Sequence, residues 1–427
     1  MERVIVRPGG PLQGTIRVAG ASKNSGLKQM AAALLAPGAT VIRNMSPVVD
    51  LDLMIELLRV VGAQVEWTAP DEITIDASGS LRPEAPYELV SRMRASINVL
   101  GPLLARCGEA RVAMPGGDDI GSRPLDMHFR GLEAMGAKLT IRHGYIEAIA
   151  PDLHGANITL EFPSVGATEQ LLTSAVLAVG ETVIDNAARE PEITDLAAML
   201  TRMGAEIIGA GSPTIRVRGV RELSPVTTTV MGDRIEAGTF LMACAIAGGE
   251  ITLEGIRVQD LGVLVVKLGE MGMRVSPIPN GIWARVDAQL NATDISTLPF
   301  PGFATDFMPM AVAMLSVARG TAIVTENVYD NRYGFVGELM RMGANITHEG
   351  RHVIVRGVPR LSGAPVRAMD VRAGAALVLA GLAAEGQTEV HEPLHIFRGY
   401  SDLPGRLRQL GADVQYTPAD PSEISVR

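Results

Sequence analysis

The sequence predicts an α/β (α+β) protein of two domains, each built from three copies of a βαβαββ unit. Two glycine series lead there. The first, Gly38, Gly108, Gly180, Gly249, Gly320 and Gly386, closes helix-like segments just before β-branched runs, at intervals of about 70 residues. The second, Gly62, Gly136, Gly204, Gly272, Gly343 and Gly411, sits in Leu-x-x-(Met/Leu/Val)-Gly-Ala contexts at nearly the same spacing, with Met273 replacing the alanine in the fourth copy. The third observation is the composition. A chain of 427 residues that is 47% hydrophobic and 20% charged can fill two or three ordinary globular cores.

Taken in order, each copy justifies its elements in the same way. An apolar helix ends at the first glycine, where positive φ costs glycine little. A strand follows, as in Thr40-Val41-Ile42 and Thr182-Val183-Ile184. A polar segment leads into a second helix ending at the Gly-Ala signal, and strands such as Val65-Glu66-Trp67 and Ile73-Thr74-Ile75 complete the copy. The last copy, from about residue 367, is short. The segments Arg3 to Arg7 and Thr15 to Val18 are expected to complete it. The chain is therefore expected to start in one domain (1–20 plus 231–427) and cross to the other (21–230), with the two crossovers near 20 and 230 forming a hinge. A ligand-closing cleft is the consequence expected of such a hinge; one rigid six-unit ring is the alternative.

Composition excludes several classes. A net charge of −9 with 4% aromatic residues disfavours a general nucleic-acid binder. The longest apolar stretch, Ala373 to Ala384, is too short for a bilayer. Residues 1–20 show no signal-peptide pattern. These features predict a cytoplasmic protein that binds no membrane. Cys107 and Cys244, both in apolar helix-like contexts, read as reduced core residues. Zinc spacing, a phosphate-binding P-loop and a nucleophile elbow do not occur in the sequence.

Chemistry is expected where a copy departs from the repeat. The segment from Met114 through Gly116-Gly117-Asp118-Asp119 to Arg123-Pro124-Leu125-Asp126-Met127-His128 has the glycines of a mobile loop and an arginine before a helix start. Gly20-Ala-Ser-Lys-Asn24 opens a helix, with Ser22 and Asn24 as possible caps and Lys23 opposing the dipole, as a partner for an anion would. Arg94 introduces an apolar helix. Ser164-Val165-Gly166 leads from a strand into another. Asp306 precedes the core-like run Met308 to Met314. Arg332, following Val328, then Arg372 after Asp370, and Arg398 are read as lying at equivalent strand-to-helix junctions, which suggests a convergent cationic cleft.

These segments, together with Asn186-Ala-Ala-Arg-Glu-Pro-Glu192, Gly232-Asp-Arg-Ile-Glu236 and Arg398-Gly-Tyr400, resemble the enolpyruvyl transferases end to end, in particular those acting on UDP-N-acetylglucosamine. The related EPSP synthases would show Gly-Asn-Ala-Gly-Thr where this chain has Met93-Arg-Ala-Ser-Ile97. The resemblance implies a pair of inside-out α/β barrels with the active site in the cleft between them. It implies transfer of the enolpyruvyl group of phosphoenolpyruvate to the sugar 3-hydroxyl, through addition, a tetrahedral ketal and elimination of phosphate, with no cofactor and no metal. That reaction is the first committed step of peptidoglycan synthesis. By resemblance Lys23, Arg123 and Arg398 hold the phosphate, and Arg332 and Arg372 take the carboxylate. Asp370 orients an arginine, and Asp306 lies near the sugar hydroxyl as base or orienter. Asn24 touches the sugar. Residues 123–128 and 164–166 match the uridine and diphosphate contacts, Arg94 and Val328 join the substrate-binding set, and Asp233 and Glu236 match the hinge side. The protein is expected to be a monomer or weak homo-oligomer.

The chain also departs from its relatives. Most carry Cys where this chain has Asp118, the group implicated in protonating the methylene carbon and the target of the epoxide fosfomycin. Insensitivity to fosfomycin is therefore expected. A carboxyl among cations donates a proton only after desolvation or beside an anion, so Asp118 is expected to be protonated only in the closed ternary complex; Asp119 is the alternative donor. The segment Pro47-Val-Val-Asp50 lacks a lysine common among relatives, Ser22 is an apparent insertion, and Phe397 replaces a common Asp. A transferase with another nucleotide or sugar acceptor, and a non-catalytic UDP-sugar binder, remain as alternatives.

Overall fold

The computed structural model describes residues 2–118 and 120–418. Asp119, the alternative proton donor, lies outside the described residues. The chain divides into two compact units: residues 20–118 with 123–231, and residues 1–19 with 119–122 and 232–427. We refer to them as the first and second three-repeat units.

Both glycine series serve as the sequence requires. Every member has positive φ, from +73° at Gly108 to +121° at Gly38 in the first series, and from +86° at Gly343 to +111° at Gly204 in the second. Each repeat forms one four-stranded mixed sheet, and all six share one pairing scheme. The strand after the first glycine pairs parallel with a short strand on one side. On its other side it pairs antiparallel with an inner strand, which in turn pairs antiparallel with the far edge strand. In the first three-repeat unit, Ala39–Arg43 pairs antiparallel with Glu72–Asp76, which pairs with Gln64–Ala69. Its parallel partner, Thr227–Thr229, comes from the far end of the unit and closes the cycle of three sheets.

The second unit closes by the same rule with strands from the N-terminus. Arg3–Arg7 lies between Thr388–His391 and Asp413–Thr417, and so completes the sixth sheet as expected. The following strand, Leu12–Arg17, does not join it. It pairs parallel with Gly249–Glu254 in the fourth sheet. The two edge strands are exchanged: Leu12–Arg17 serves the fourth sheet, while Thr227–Thr229, which precedes the fourth repeat in the chain, serves the first.

Two kinds of helix alternate. Those following the first strand of a repeat are amphipathic. Pro191–Arg202 buries Ile193, Leu196, Ala197, Met199 and Leu200 at helical spacing. The others are buried on all sides. In the second unit Arg234–Ala247, Met308–Leu315 and Val371–Leu382 pack on one another. The methionine run Met308 to Met314 is core, as its composition suggests. Each fully buried Leu or Val of such a helix contributes about 1.5–3 kcal/mol. In the first unit Leu100–Cys107 packs closely on Val165–Ala175. A Cβ at Gly101 would meet the Gln170 amide at 2.5 Å and the Ser174 and Thr173 hydroxyls at 2.8 Å, so a larger residue there would have to displace buried side chains. Cys244 is buried, and burial pushes its thiol up to about 12, far from reactivity. Cys107 is exposed, because it is the last helical residue before Gly108 and lies off the buried face; its reading as a core residue is corrected.

Candidate active site

The residues that break the repeat fall at two recurrent places. One is the start of a buried central helix; the other is the link between a sheet and an outer helix. Each unit carries its own group.

In the first unit the three central helices begin at Lys23–Asn24, at Arg94 and at Ser164–Gly166. The opening Ser22–Gly26 is a π-helical turn with no side-chain cap. Ser22 instead accepts a bond from Ser46 N at 2.6 Å, which corrects its expected capping role; Asn24 caps nothing either. Lys23 Nζ is ion-paired with Asp50, whose side chain is 1% exposed in the first turn of Val49–Val60. Arg94 starts the 3-10 turn Arg94–Val99, and its guanidinium donates to the Arg123 carbonyl. Arg123 Nη2 donates to the Asp118 carbonyl at 2.6 Å. Two arginines thus fold the glycine loop back on itself. Pro124 is exposed and Leu125 is buried. Asp126, first residue of Asp126–Ala134, meets Arg130 at 3.4 Å, and Met127 packs on the core. His128 is buried next to Gly166, where burial and then Arg94 push its imidazole down to about 4. Ser164 caps Val165–Ala175 through Ala167 N, with Val165 and Gly166 half-buried at the helix start. The first-unit group is therefore cationic and lined by backbone N–H groups.

Loop packing yields a test. A Cβ at Gly116 would lie 1.7 Å from Ser91 O, a contact that only backbone movement could relieve. With the chemistry that the sequence leads one to expect of this loop, Gly116→Ala is expected to lower kcat by about 10-fold or more, since misplacing a reacting group by about 1 Å has effects of at least that order. Steady-state kinetics check this; wild-type kcat would show that the loop position is immaterial.

In the second unit Asp306 is the centre. Its Oδ1 accepts from Arg332 Nη2 at 2.8 Å, and its Oδ2 from Arg372 Nε at 3.0 Å. Burial pushes its carboxyl up, but Arg372 and Arg332 outweigh burial and hold it well below the usual carboxylate range. Thr305 Oγ1 also accepts from Arg332 and donates to Glu326, which accepts the backbone N–H of Val328 and of Tyr329. Asp370 does not bond an arginine side chain. It caps Val371–Leu382 through Arg372 N at 2.8 Å and Ala373 N at 2.9 Å, positioning Arg372 by its backbone. Arg372 stacks over Tyr400, and Arg332 over Tyr329, each 5.3 Å from the ring centroid. Arg398 follows the short helix Leu394–Phe397 and is half-buried.

The three arginines are not equivalent, contrary to expectation. Arg332 and Arg398 lie between a sheet and an outer helix, whereas Arg372 is in the first turn of a central helix. A single sequence hides this because both kinds of junction follow a strand. Asp50, Glu326, Tyr329 and Tyr400 were also missed as partners of site groups. A buried Asp or Glu beside an Arg or Lys carries no local sequence signal.

Asp233 caps Arg234–Ala247 through Ile235 N and Glu236 N. Glu236 accepts from Ala19 N at 2.7 Å and Arg406 Nη1 at 2.5 Å, yet burial pushes it up from 4.5 to about 7. Between those values the folded chain keeps a proton that the unfolded chain has released, so stability falls as pH rises, by about 3 kcal/mol in all. His128 acts oppositely. Its folded value near 4 lies below 6.5, so stability falls as pH drops through that window. Glu236→Gln removes only the first effect. From pH 5 to pH 8 the thermal midpoint of the variant is expected to gain roughly 3–6 °C relative to wild type. A constant difference would mean that Glu236 carries no proton there.

Comparison with known proteins finds relatives along almost the whole chain. The family described as EPSP synthase (3-phosphoshikimate 1-carboxyvinyltransferase) matches residues 6–407. The UDP-N-acetylglucosamine 1-carboxyvinyltransferase of Corynebacterium jeikeium is 52% identical over 411 residues, 96% of this chain and 98% of the relative. That of Mycolicibacterium paratuberculosis is 48% identical over 421 residues, 97% and 99% respectively. Among solved structures, the enolpyruvyl transferase NikO from Streptomyces tendae superposes with TM-score 0.87 at 27% identity, covering 98% of this chain and 99% of its own. An EPSP synthase from Acinetobacter baumannii shares the fold, with TM-score 0.72 at 18% identity and coverage of 98% and 100%.

Proposed function

Since the chain belongs to the EPSP synthase family and, within it, to the UDP-N-acetylglucosamine 1-carboxyvinyltransferases, we propose that it transfers the enolpyruvyl group of phosphoenolpyruvate to the 3-hydroxyl of UDP-N-acetylglucosamine, releasing phosphate. The observation that carries this reading is the Asp306 cluster. Arg332 Nε and Arg372 Nη1 are buried with no hydrogen-bond partner. Buried donors left in that state suit an incoming anion. A carboxylate fits because Arg372 spends its Nε and Nη2 on Asp306 and Arg332 its Nη2, which leaves Arg372 Nη1 and Arg332 Nε as in-plane donors for it.

On this reading the phosphoenolpyruvate carboxylate meets Arg332 and Arg372, and its phosphate meets Lys23, Arg123 and Arg398. Arg94, Arg123 to His128, and Ser164 to Gly166 take the uridine diphosphate, while Asn24 and Val328 border the sugar. Asp306 accepts the hydroxyl proton as the oxygen attacks C2, and Asp118 protonates C3 to a methyl group; the tetrahedral ketal then loses phosphate from C2 and one methyl proton from C3, which restores the C2–C3 double bond. Asp306 is a poor base while two arginines hold it. An anion that draws their charge away raises its basicity, so the base is armed only when phosphoenolpyruvate is bound. The inside-out α/β barrel pair with a closing cleft, the cytoplasmic location and the place at the first committed step of peptidoglycan synthesis belong to the same reading.

The test is phosphate release from phosphoenolpyruvate with UDP-N-acetylglucosamine, beside shikimate 3-phosphate and no acceptor. Release with the UDP-sugar alone, and a product heavier by one enolpyruvyl unit, is expected. Release with neither acceptor would overturn the reading.

A further inference from the structure

We propose that Lys28, held by Glu169, is a positioning residue that sets the backbone of the Ser22–Gly26 turn and thereby aims Lys23 and Asn24. The inference rests on the transferase reading for its kinetic consequences, and on geometry for the strut itself.

A π-helical turn is wider than an α-turn and displaces carbonyls from the regular i→i+4 ladder. Here the Ala21 carbonyl receives both Ser25 N at 2.8 Å and Gly26 N at 2.9 Å. Lys28 Nζ supplies a donor to the next carbonyls, at 2.8 Å from Asn24 O and 3.5 Å from Lys23 O. It therefore touches the main chain of the very two residues whose side chains are assigned to substrate.

What keeps a flexible lysine there is Glu169, with Oε1 at 3.5 Å. The two side chains are 14% and 4% exposed, so solvent competes little for either. Glu169 belongs to Val165–Ala175, the helix whose N-terminus presents Ser164 to Gly166. The strut thus ties two substrate-facing segments of one unit together. The opposite side of the turn is fixed as well: Ser25 Oγ and Gln29 Nε2 both donate to Asp195, at 2.6 and 2.7 Å. Lys28 points at carbonyls and a carboxylate rather than into the cationic group, so its charge orients and does not bind substrate.

The strut also titrates. The charges facing Glu169 are Lys28 from Leu27–Ala32, and Glu192 and Glu190 at the start of Pro191–Arg202. Burial, with those two acids, pushes Glu169 up to about 7 against the pull of Lys28. The ion pair is complete above that pH and weakens below it.

The experiment compares wild type with Lys28→Met, Lys28→Arg and Glu169→Gln. It measures kcat and KM for both substrates from pH 5.5 to 9, and amide hydrogen exchange in residues 22–27. Lys28→Met is expected to lower kcat/KM by about 10- to 100-fold, to speed exchange in 22–27 selectively, and to be largely rescued in Lys28→Arg. The wild-type kcat/KM should decline on the acid side of about pH 7, and that limb should vanish in Lys28→Met and Glu169→Gln. Unchanged exchange and kcat/KM in Lys28→Met would overturn the proposal. So would faster exchange spread over the whole unit, or an acid limb that survives both substitutions. A wild-type protein that releases no phosphate would sink the transferase reading, and exchange in 22–27 would still decide the strut.

Discussion

Asp306→Asn is expected to lower kcat by roughly 10²- to 10⁴-fold, the usual loss on removing a positioned general base, while phosphoenolpyruvate binds more tightly. The two effects have one cause. In the proposed mechanism the Asp306 carboxylate is the proton acceptor, and it is also the anion that occupies Arg332 and Arg372. An amide cannot take the proton, so turnover falls. It also cannot balance two guanidiniums whose side chains are each 3% exposed, so those charges turn to the incoming carboxylate. The usual loss of both binding and rate on damaging a site is therefore not expected; KM for phosphoenolpyruvate should fall along with kcat. The substitution has a stability signature as well. A carboxyl held below its usual range stabilises the fold above its unfolded value and loses that contribution as pH falls through its folded value. Asp306→Asn should therefore be less stable than wild type at neutral pH, with the gap closing in acid. Steady-state kinetics and direct phosphoenolpyruvate binding decide the matter. Unchanged kcat would remove Asp306 from the proton transfer, and weakened binding would show that the clamp organises the arginines rather than competing for them.

Fosfomycin should leave the wild-type protein active and unmodified, whereas Asp118→Cys should be alkylated and progressively inactivated. A carboxylate is a weak nucleophile toward an epoxide; a thiolate is a strong one. The surroundings favour the thiolate. Arg123 bonds the carbonyl of residue 118 itself, and Arg94 bonds that of Arg123, which places two cations at the loop. Nearby cations of this kind lower a thiol's pKa from about 8.5. The expected contrast is near-complete loss of Asp118→Cys activity under conditions that leave wild type untouched. Intact-mass and peptide mass spectrometry of residues 115–121 checks it. An adduct on the wild-type loop would refute the insensitivity, and an Asp118→Cys protein that resists alkylation would show that position 118 is not where the epoxide binds. Asp118→Asn supplies a separate arm, since retention of full turnover would remove Asp118 as the proton donor.

Much of the scaffold was legible because its punctuation is local. A glycine that must adopt positive φ at a helix end can be recognised from its neighbours, and both series do so at every position. The buried methionine helix and the N-terminal strand of the sixth sheet follow from pattern alone. The misreadings are of another kind. Leu12–Arg17 is a good strand for either the fourth or the sixth sheet, and only long-range pairing chose. Ser22 looks like a cap, but the wide turn that follows sends its hydroxyl to Ser46 instead. Arg372 resembled Arg332 and Arg398 until the helices were placed.

The sixfold repeat, the helix ends and the charged residues that interrupt the pattern are all readable along the chain, because turn chemistry and periodicity act over a few residues. Tertiary structure decided which charges meet. Asp306 lies 26 positions from Arg332 and 66 from Arg372, Lys23 lies 27 from Asp50, and Glu236 lies 170 from Arg406. Such pairings set which carboxyl is held ionised by arginines and which keeps its proton. They depend on burial and on a few ångströms of separation, and neither is encoded in any local stretch of chain.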